Sequence, residues 1–187
     1  MTETIEIPVP LLDETLEPPP PERVRALKKH LIRSLRDLRI AKRPDRLIQT
    51  VTRAPEGFAA AVVAAGCATC RGYCCKGGGE HAYIDERTMA RVRRDNPGLH
   101  AAAIIGLFLS RLASPGFRGS CLFHGPDGCT LGRPLRAELC NAYYCNGLRD
   151  FLKRGEPAGD VQIVAARDGK QRRSDVLRRV DMWSAGG

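Results

Sequence analysis

The sequence predicts a small α+β domain that is mostly α-helical, with cysteine-bearing loops and one or two short strands. Apolar residues recur at three- and four-residue spacing in residues 22–41, which is typical of an amphipathic helix. Hydrophobic residues make up 43% of the chain, enough for a core. Aromatic residues reach only 5%, while eight cysteines are present. We therefore expect metal ligation to replace part of the usual aromatic packing, giving a metal-stapled domain.

Residues 1–21 are acidic and rich in proline. Six acids and no Lys or Arg precede Arg23, and residues 18–21 are four consecutive prolines. This composition predicts an extended or disordered lead-in. The start lacks the basic and apolar regions of a signal peptide. The longest apolar stretch, residues 101–109, is too short to span a bilayer. These two features predict a cytoplasmic location without a membrane span.

Residues 22–53 are predicted to be a basic helical segment. Residues 22–41 form its first helix, begun by a proline suited to the first turn and lined on one face by leucines. A second helical stretch is predicted over residues 45–53. The polar face of the first helix carries Arg23, Arg25, Lys28, Lys29, Arg33, Arg36, Arg39, Lys42 and Arg43. Residues 22–43 are therefore predicted either to bind an acidic partner or nucleic acid, or simply to solvate their charges.

Residues 54–165 are predicted to be the domain that carries the cysteines. An alanine-rich helix over residues 55–65 leads into them, with Gly66 placed to end it. Residues 81–84 are a short strand candidate. Helices are predicted over residues 85–94 and 99–112, separated by an Asn-Pro-Gly breaker.

The end of the chain is predicted to contain one strand and a basic tail. Alternating residues favour a strand over 161–165, followed by a turn at Asp168-Gly169. Residues 166–187 form the predicted tail, and 174–187 its short helix.

The cysteines fall into two sets of four. The first set is compact, with two residues and then three between its members before an adjacent pair, and the second has gaps of seven, ten and four. The candidate ligands are Cys67, Cys70, Cys74, Cys75, Cys121, Cys129, Cys140 and Cys145. Thiolates this dense are costly to hold together without positive charge between them, so zinc or an iron–sulfur cluster is the first hypothesis. In a reducing compartment, structural disulfides are the minority interpretation.

Cys74 and Cys75 are adjacent, which is unusual for a chelating pair. Neighbouring side chains point about 100° apart on a helix and to opposite faces of a strand. Two adjacent cysteines therefore do not easily bind one ion as a matched pair. Their adjacency favours two linked centres, or one polynuclear cluster, over a single isolated zinc.

The cysteine pattern resembles the YkgJ-like cysteine-cluster family, described as a zinc- or iron-chelating domain. The resemblance rests on Cys67-x2-Cys70-x3-Cys74-Cys75, on Cys121-Leu-Phe-His-Gly-Pro-Asp-Gly-Cys129, and on Arg133-Pro134 shortly before Cys140. It covers about residues 67–145 and implies metal ligation by all eight cysteines, with Arg133 and Pro134 as matching positions that are not ligands. The first set has three residues before the pair where the family often has two. Leu131-Gly132 also replaces a common Ile-Tyr.

Three functions remain open on these residues. The leading one is metal or iron–sulfur binding. An enzyme alternative is an iron–sulfur oxidoreductase or an accessory of a protein-modifying enzyme, although the catalytic residues are unknown. A third is an adaptor whose metal is structural and whose basic helix binds nucleic acid. A dithiol oxidoreductase, suggested by the spacing of Cys67 and Cys70, lacks the strand-to-helix pattern expected around such a pair.

Three other side chains near the cysteines are weaker candidates. His124 follows Cys121 by three residues and is a possible replacement ligand, but an ordinary loop or surface histidine is the favoured interpretation. Arg133 and Arg136 are expected either to hydrogen-bond sulfurs and offset their charge or to form surface salt bridges.

Overall fold

The computed structural model describes residues 4–41, 46 and 50–178. The predicted fold class is confirmed, because this part of the chain is mostly helical with small sheets. The helices are α1 (Pro21–Ile40), α2 (Gly57–Cys70), α3 (Glu86–Asp95), α4 (Ala101–Leu109), α5 (Glu138–Ala142) and α6 (Asn146–Arg154). The strands are β1 (Thr4–Pro10), β2 (Leu16–Glu17), β3 (Gly116–Phe117), β4 (His124–Gly125), β5 (Gly128–Cys129), β6 (Asp160–Arg167) and β7 (Lys170–Arg173). Short 3-10 helices cover Tyr73–Gly78 and Arg133–Leu135.

The chain divides into two compact units. Unit 1 consists of residues 1–13, 53–73 and 144–187, and unit 2 of residues 14–52 and 74–143. These discontinuous units do not follow the predicted division at 21/22, 53/54 and 165/166. Each unit combines residues from inside and outside the predicted cysteine domain, 54–165.

Unit 1 is built on a three-stranded sheet of order β1-β6-β7. β1 runs parallel to β6, and β6 turns back into β7 through the predicted turn at Asp168-Gly169. Both turn residues have positive φ, the backbone that a tight hairpin needs. Helices α2 and α6 pack against the sheet and bury Phe58, Val62 and Phe151 in its core.

The prediction of a disordered lead-in differs from the structure over residues 4–10. β1 buries Ile7 and Val9, two residues apart, against β6. Its prolines are tolerated because β1 lies at the edge of the sheet, where one row of backbone groups needs no partner. Glu6 pairs with Arg173 within the same unit. Composition alone gave the wrong prediction because the alternating apolar residues of β1 are few and lie among prolines and acids.

Unit 2 has its core beneath the leucine face of α1. The predicted helix over 22–41 is confirmed, and α1 packs against α3 and α4. The core is formed by Leu27, Leu31, Leu35, Leu38, Met89, Val92, Ile104, Phe108 and Phe123. Burying each such side chain stabilises the unit by about 1.5–3 kcal/mol. Two short antiparallel strand pairs of two residues each, β2–β3 and β4–β5, join loop segments of this unit.

Several predicted boundaries are confirmed and others are wrong. The helix predicted over 85–94 is α3, the one over 99–112 is the shorter α4, and the strand over 161–165 is the longer β6. Residues 81–84 were predicted as a strand but form a turn, because Ala82 and Tyr83 adopt left-handed backbone.

Gly66 does not end the helix that leads into the cysteines. α2 continues to Cys70 because the left-handed capping position falls at Arg71 (φ 57°), and Gly66 instead makes room for the side chain of Leu148. The helix predicted over 174–187 is wrong over 174–178, where Leu177 bridges to Val161, and its remainder lies outside the described residues. Of the stretch 45–53, residues 45 and 47–49 also lie outside them, and residues 50–53 are not helical. Within the described ranges, no helix has the length and apolar run needed to cross a bilayer.

Candidate metal centre

The eight predicted ligands are distributed over both units, and each sequence set is divided. Unit 1 holds Cys67, Cys70 and Cys145, whereas unit 2 holds Cys74, Cys75, Cys121, Cys129 and Cys140. All eight lie in the described part of the chain, and none of them forms a disulfide. The chain crosses from unit 1 to unit 2 between Cys70 and Cys74, and returns between Cys140 and Cys145.

The thiols are not arranged as a complete ligand shell. Within residues 4–41, 46 and 50–178, no three or more His, Cys, Asp or Glu side chains are grouped closely enough to hold a metal ion. Metal binding would therefore require the cysteine side chains to turn toward a common point. The donors themselves fit zinc and iron, since thiolates are the ligands that structural zinc sites and iron–sulfur clusters use.

In unit 1, Cys67 and Cys70 occupy the last turn of α2. Cys67 is exposed and Cys70 is buried in the core of the unit, where Cys145 also packs. The amide of Gly72 donates to the sulfur of Cys70 at 3.2 Å, the kind of N–H···S contact found around ligated thiolates. Dithiol oxidoreductases activate a thiol at a helix N-terminus, whereas this pair lies at the C-terminal end of its helix. The structure therefore disfavours the dithiol alternative.

In unit 2, the adjacent pair lies on the 3-10 helix Tyr73–Gly78. A hydrogen bond from Cys75 lowers the pKa of Cys74 to about 7. The same hydrogen bond and burial raise the pKa of Cys75, and the negative charges of neighbouring cysteines raise it further. The two thiols thus interact directly with each other.

Cys121 belongs to the second sequence set but lies against the first. Its amide donates to the carbonyl oxygen of Cys75 at 3.1 Å. A Cβ on Gly78 would stand only 2.9 Å from the Cβ of Cys121 and 3.1 Å from its sulfur. Glycine is therefore required where the 3-10 helix approaches Cys121. Burial raises the pKa of Cys121 to about 12, and the charges of Cys129 and Cys140 add to the effect.

Cys129 and Cys140 complete the unit 2 group. Cys129 lies in β5 opposite His124 of β4, and Cys140 lies on the surface of α5. Burial raises the pKa of the Cys140 thiol to about 11, with contributions from Cys129 and Cys74, while the positive charge of Arg136 opposes them. Cys140 is thus coupled electrostatically to Cys129 and Cys74.

Arg91 holds the loop between Cys129 and Cys140, a role that the sequence did not indicate. It lies on α3 and is fully buried. Its guanidinium donates to the carbonyl oxygens of Pro134, at 3.2 Å, and of Arg136, and its Nη1 lies 3.6 Å from Oε2 of Glu138. The sequence signal that could have revealed this role is a charged residue on the apolar face of a helix, since such a residue needs a partner inside the fold.

Arg133 and Arg136 bind backbone carbonyls rather than sulfurs. Arg136 donates to the carbonyls of Leu131, at 2.8 Å, and Cys129, at 3.4 Å. Arg133 donates to the carbonyls of Thr52 and Asn141, and the Asn141 amide returns a hydrogen bond to Arg133 at 3.0 Å. The predicted sulfur hydrogen bonds are therefore not observed for these two residues. The positive charge of Arg136 acts to lower the pKa of Cys140, but burial and the charges of Cys129 and Cys74 outweigh it.

His124 is neither a loop nor a surface residue. It is 1% exposed in β4, hydrogen-bonded through Nδ1 to the hydroxyl of Ser120 at 2.8 Å and stacked against Phe117 at 4.7 Å. The favoured interpretation from the sequence was wrong because Phe117 and Ser120, which lie a few residues before His124, contact its ring and bury it. These contacts fix the position of His124, which pairs with Cys129 and follows Cys121 by three residues.

The comparisons with known proteins identify no relative. No protein-family model matches the chain, and neither the curated proteins nor the solved structures contain a match. The resemblance to the YkgJ-like cysteine-cluster family therefore stays a prediction.

Proposed function

We propose that the chain is a cysteine-rich metal-binding protein that coordinates zinc or an iron–sulfur cluster through its eight cysteines. The observation that carries the proposal is that Cys121, from the second cysteine set, lies against the segment of the first set that carries Cys75. The bond from the Cys121 amide to the Cys75 carbonyl and the close approach of Gly78 to Cys121 bring both sequence sets together. This grouping joins segments that are far apart in sequence, as a ligand set would require.

The chemistry of the unit 2 thiols supports a cation as their ligand. Each thiolate raises the cost of ionising the next, so the set resists accumulating negative charge unless a cation compensates it. Zinc or iron supplies that positive charge, and binding displaces the thiol protons. The remaining three cysteines, Cys67, Cys70 and Cys145, belong to unit 1 and provide a second, smaller donor set.

The surroundings of the unit 2 thiols support a rigid ligand loop. Arg91 and Arg136 hold the chain between Cys129 and Cys140 by the carbonyl oxygens of Pro134, Arg136 and Leu131. Residues around a metal site that fix the position of its ligands typically change metal affinity about 10–100-fold when they are replaced. A loop fixed by two arginines through its backbone loses little entropy when its cysteines bind a metal.

Serine variants prepared under anaerobic conditions test the assignment of ligands. We expect the double variant Cys121→Ser with Cys140→Ser to lose the metal bound by unit 2. The double variant Cys67→Ser with Cys145→Ser should lose only the metal bound by unit 1. Ser110→Ala, on an exposed hydroxyl after α4, is the control and should keep the full content. Metal content unchanged by both cysteine pairs would contradict the proposal.

The visible spectrum of the same samples distinguishes the metals. A brown protein that bleaches on reduction indicates an iron–sulfur cluster and opens the oxidoreductase alternative. A colourless protein with stoichiometric zinc indicates a closed tetrahedral site and argues against that alternative.

A further inference from the structure

One face of α1 is exposed, basic and unrelated to the cysteines. The helix is 20 residues long and buries its leucines in unit 2. The opposite face, called the basic face below, carries exposed Arg25, Lys28, Lys29, Ile32, Arg33, Arg36, Arg39 and Ile40. At about 100° per residue these eight positions fall within an arc of about 140°. They form one continuous stripe rather than scattered charges.

The cations of the basic face have few acidic partners. No Asp or Glu lies within this arc between Arg25 and Ile40. Of the six cations, Arg36 alone forms an ion pair with another described residue, Asp37. The other arginines and lysines present their charge to solvent, and the chain as a whole carries a formal charge of +9. A concentrated field of one sign fits a ligand of the opposite sign.

We propose that the basic face of α1 binds nucleic acid through its phosphate backbone. From Arg25 to Arg39 the helix rises about 21 Å, which matches about six base-pair steps of B-DNA at 3.4 Å each. Four of the six cations are arginines, whose planar guanidinium groups bind phosphate oxygens in pairs. No base-reading side chain is assigned, so binding is independent of sequence. This inference does not rest on metal binding.

The packing of α1 argues against a membrane as the partner. A helix that lies in a bilayer interface turns a broad apolar face toward the lipid. The leucine face of α1 is buried in the core of unit 2, and the exposed face offers only Ile32 (48% exposed) and Ile40 (70% exposed) among its cations. An acidic protein is the other alternative, and the spread of six cations along about four helical turns favours the repeating charge of a phosphate backbone.

The test is the salt dependence of binding by the full-length protein to a labelled duplex of about 20 base pairs. If about five phosphates are neutralised, the slope of log K against log salt is about −4.5, and affinity falls about 500-fold between about 50 and 200 mM salt. Arg25→Gln with Lys29→Gln and Arg33→Gln should make this slope shallower by about 3. Gln retains helix propensity, so α1 is expected to persist.

A matched variant separates the basic face from net charge. Arg87, Arg93 and Arg118 are exposed cations of unit 2 that lie off α1. Arg87→Gln with Arg93→Gln and Arg118→Gln removes the same charge and should leave the slope within about 1 of the wild type. Arg36→Gln with Arg39→Gln is a second α1 variant, expected to reduce the slope by about 2.

Five outcomes would overturn the proposal. They are no duplex binding at low salt, an affinity that does not fall with salt, and equal losses in the α1 and control variants. The fourth is tighter binding to poly-glutamate than to the duplex, which would assign the basic face to an acidic protein instead. Anionic vesicles of phosphatidylserine should compete weakly, and stronger competition than by the duplex would also overturn it.

Discussion

The backbone amide of Cys121 donates a hydrogen bond to the carbonyl oxygen of Cys75 at 3.1 Å. This bond joins the two cysteine sets, which are separated in the sequence by α3, α4 and β3. Because it uses main-chain atoms only, it leaves both sulfurs available for another ligand. Through this hydrogen bond, the second cysteine set lies against the first. A substitution next to Cys75 or Cys121 should therefore disturb both sets.

Gly78→Ala should disturb this junction directly. The new Cβ would lie 2.9 Å from the Cβ of Cys121, which is not a flexible chain end, so the backbone must move. We expect a loss of about 1–3 kcal/mol in the free energy of unfolding, measured in urea, together with reduced metal content. Gly98→Ala is the control, because nothing lies within 4 Å of its Cβ. Equal metal content in the two variants would contradict the close approach of Gly78 to Cys121.

Arg91→Met should loosen the loop between Cys129 and Cys140. The substitution leaves the carbonyls of Pro134 and Arg136 without their buried donor and separates Glu138 from its cation. We expect a loss of about 3 kcal/mol in the free energy of unfolding. Arg93→Met, on the exposed side of the same helix, should cost less than about 0.5 kcal/mol. Similar unfolding midpoints for the two variants would show that Arg91 does not anchor the loop.

Gly147→Ala tests whether the N-terminal segment is a strand. A Cβ at this position of α6 would lie 1.9 Å from the carbonyl oxygen of Pro8 in β1, so the variant should lose about 3 kcal/mol of stability. Gly66→Ala is the comparison, because its Cβ meets only the movable end of Leu148 and should cost less. If residues 4–10 were disordered, Gly147→Ala would instead stabilise α6 by up to about 1 kcal/mol.

Glu80 gives unit 2 a small dependence of stability on pH. A hydrogen bond from Arg23 at 2.9 Å lowers the pKa of the Glu80 carboxyl below its ordinary value. The stabilisation is therefore present above the unfolded pKa of about 4.3 and is lost as pH falls through the lower folded pKa. Since Glu80 is about half exposed, we expect no more than about 0.5 kcal/mol.

The comparison of wild type with Glu80→Gln isolates this contribution. The difference in the free energy of unfolding between the two proteins should shrink from about pH 7 to about pH 3. A difference that grows on acidification would have the wrong sign for a lowered pKa and would contradict the ion pair.

Helices α1 to α4 were predictable because their signals are local, whereas α5 and α6 were not predicted. The leucine spacing of α1, the Asn-Pro-Gly breaker after α3 and the Asp168-Gly169 turn each depend on residues within a few positions of one another. β1 was missed because its partner, β6, lies at the other end of the chain, and a strand gains its stability from pairing. Gly66 was misjudged for the same reason, since Leu148 on α6 explains it.

The cysteines were predictable as candidates, but their grouping was not. Spacing distinguishes a compact set from a loose one, whereas the structure assigns Cys145 to unit 1 and Cys121 to the side of Cys75 in unit 2. The role of Arg91 also depends on carbonyl groups more than forty residues away. No local pattern encodes such contacts.

Elemental analysis of anaerobically purified protein, with thiol titration of the same sample, tests the central proposal most directly. Metal binding by the eight cysteines predicts near-stoichiometric zinc or iron, and few thiols reactive until a chelator releases the metal. A folded protein that carries no metal and whose cysteines are joined in disulfides by mass spectrometry would contradict it.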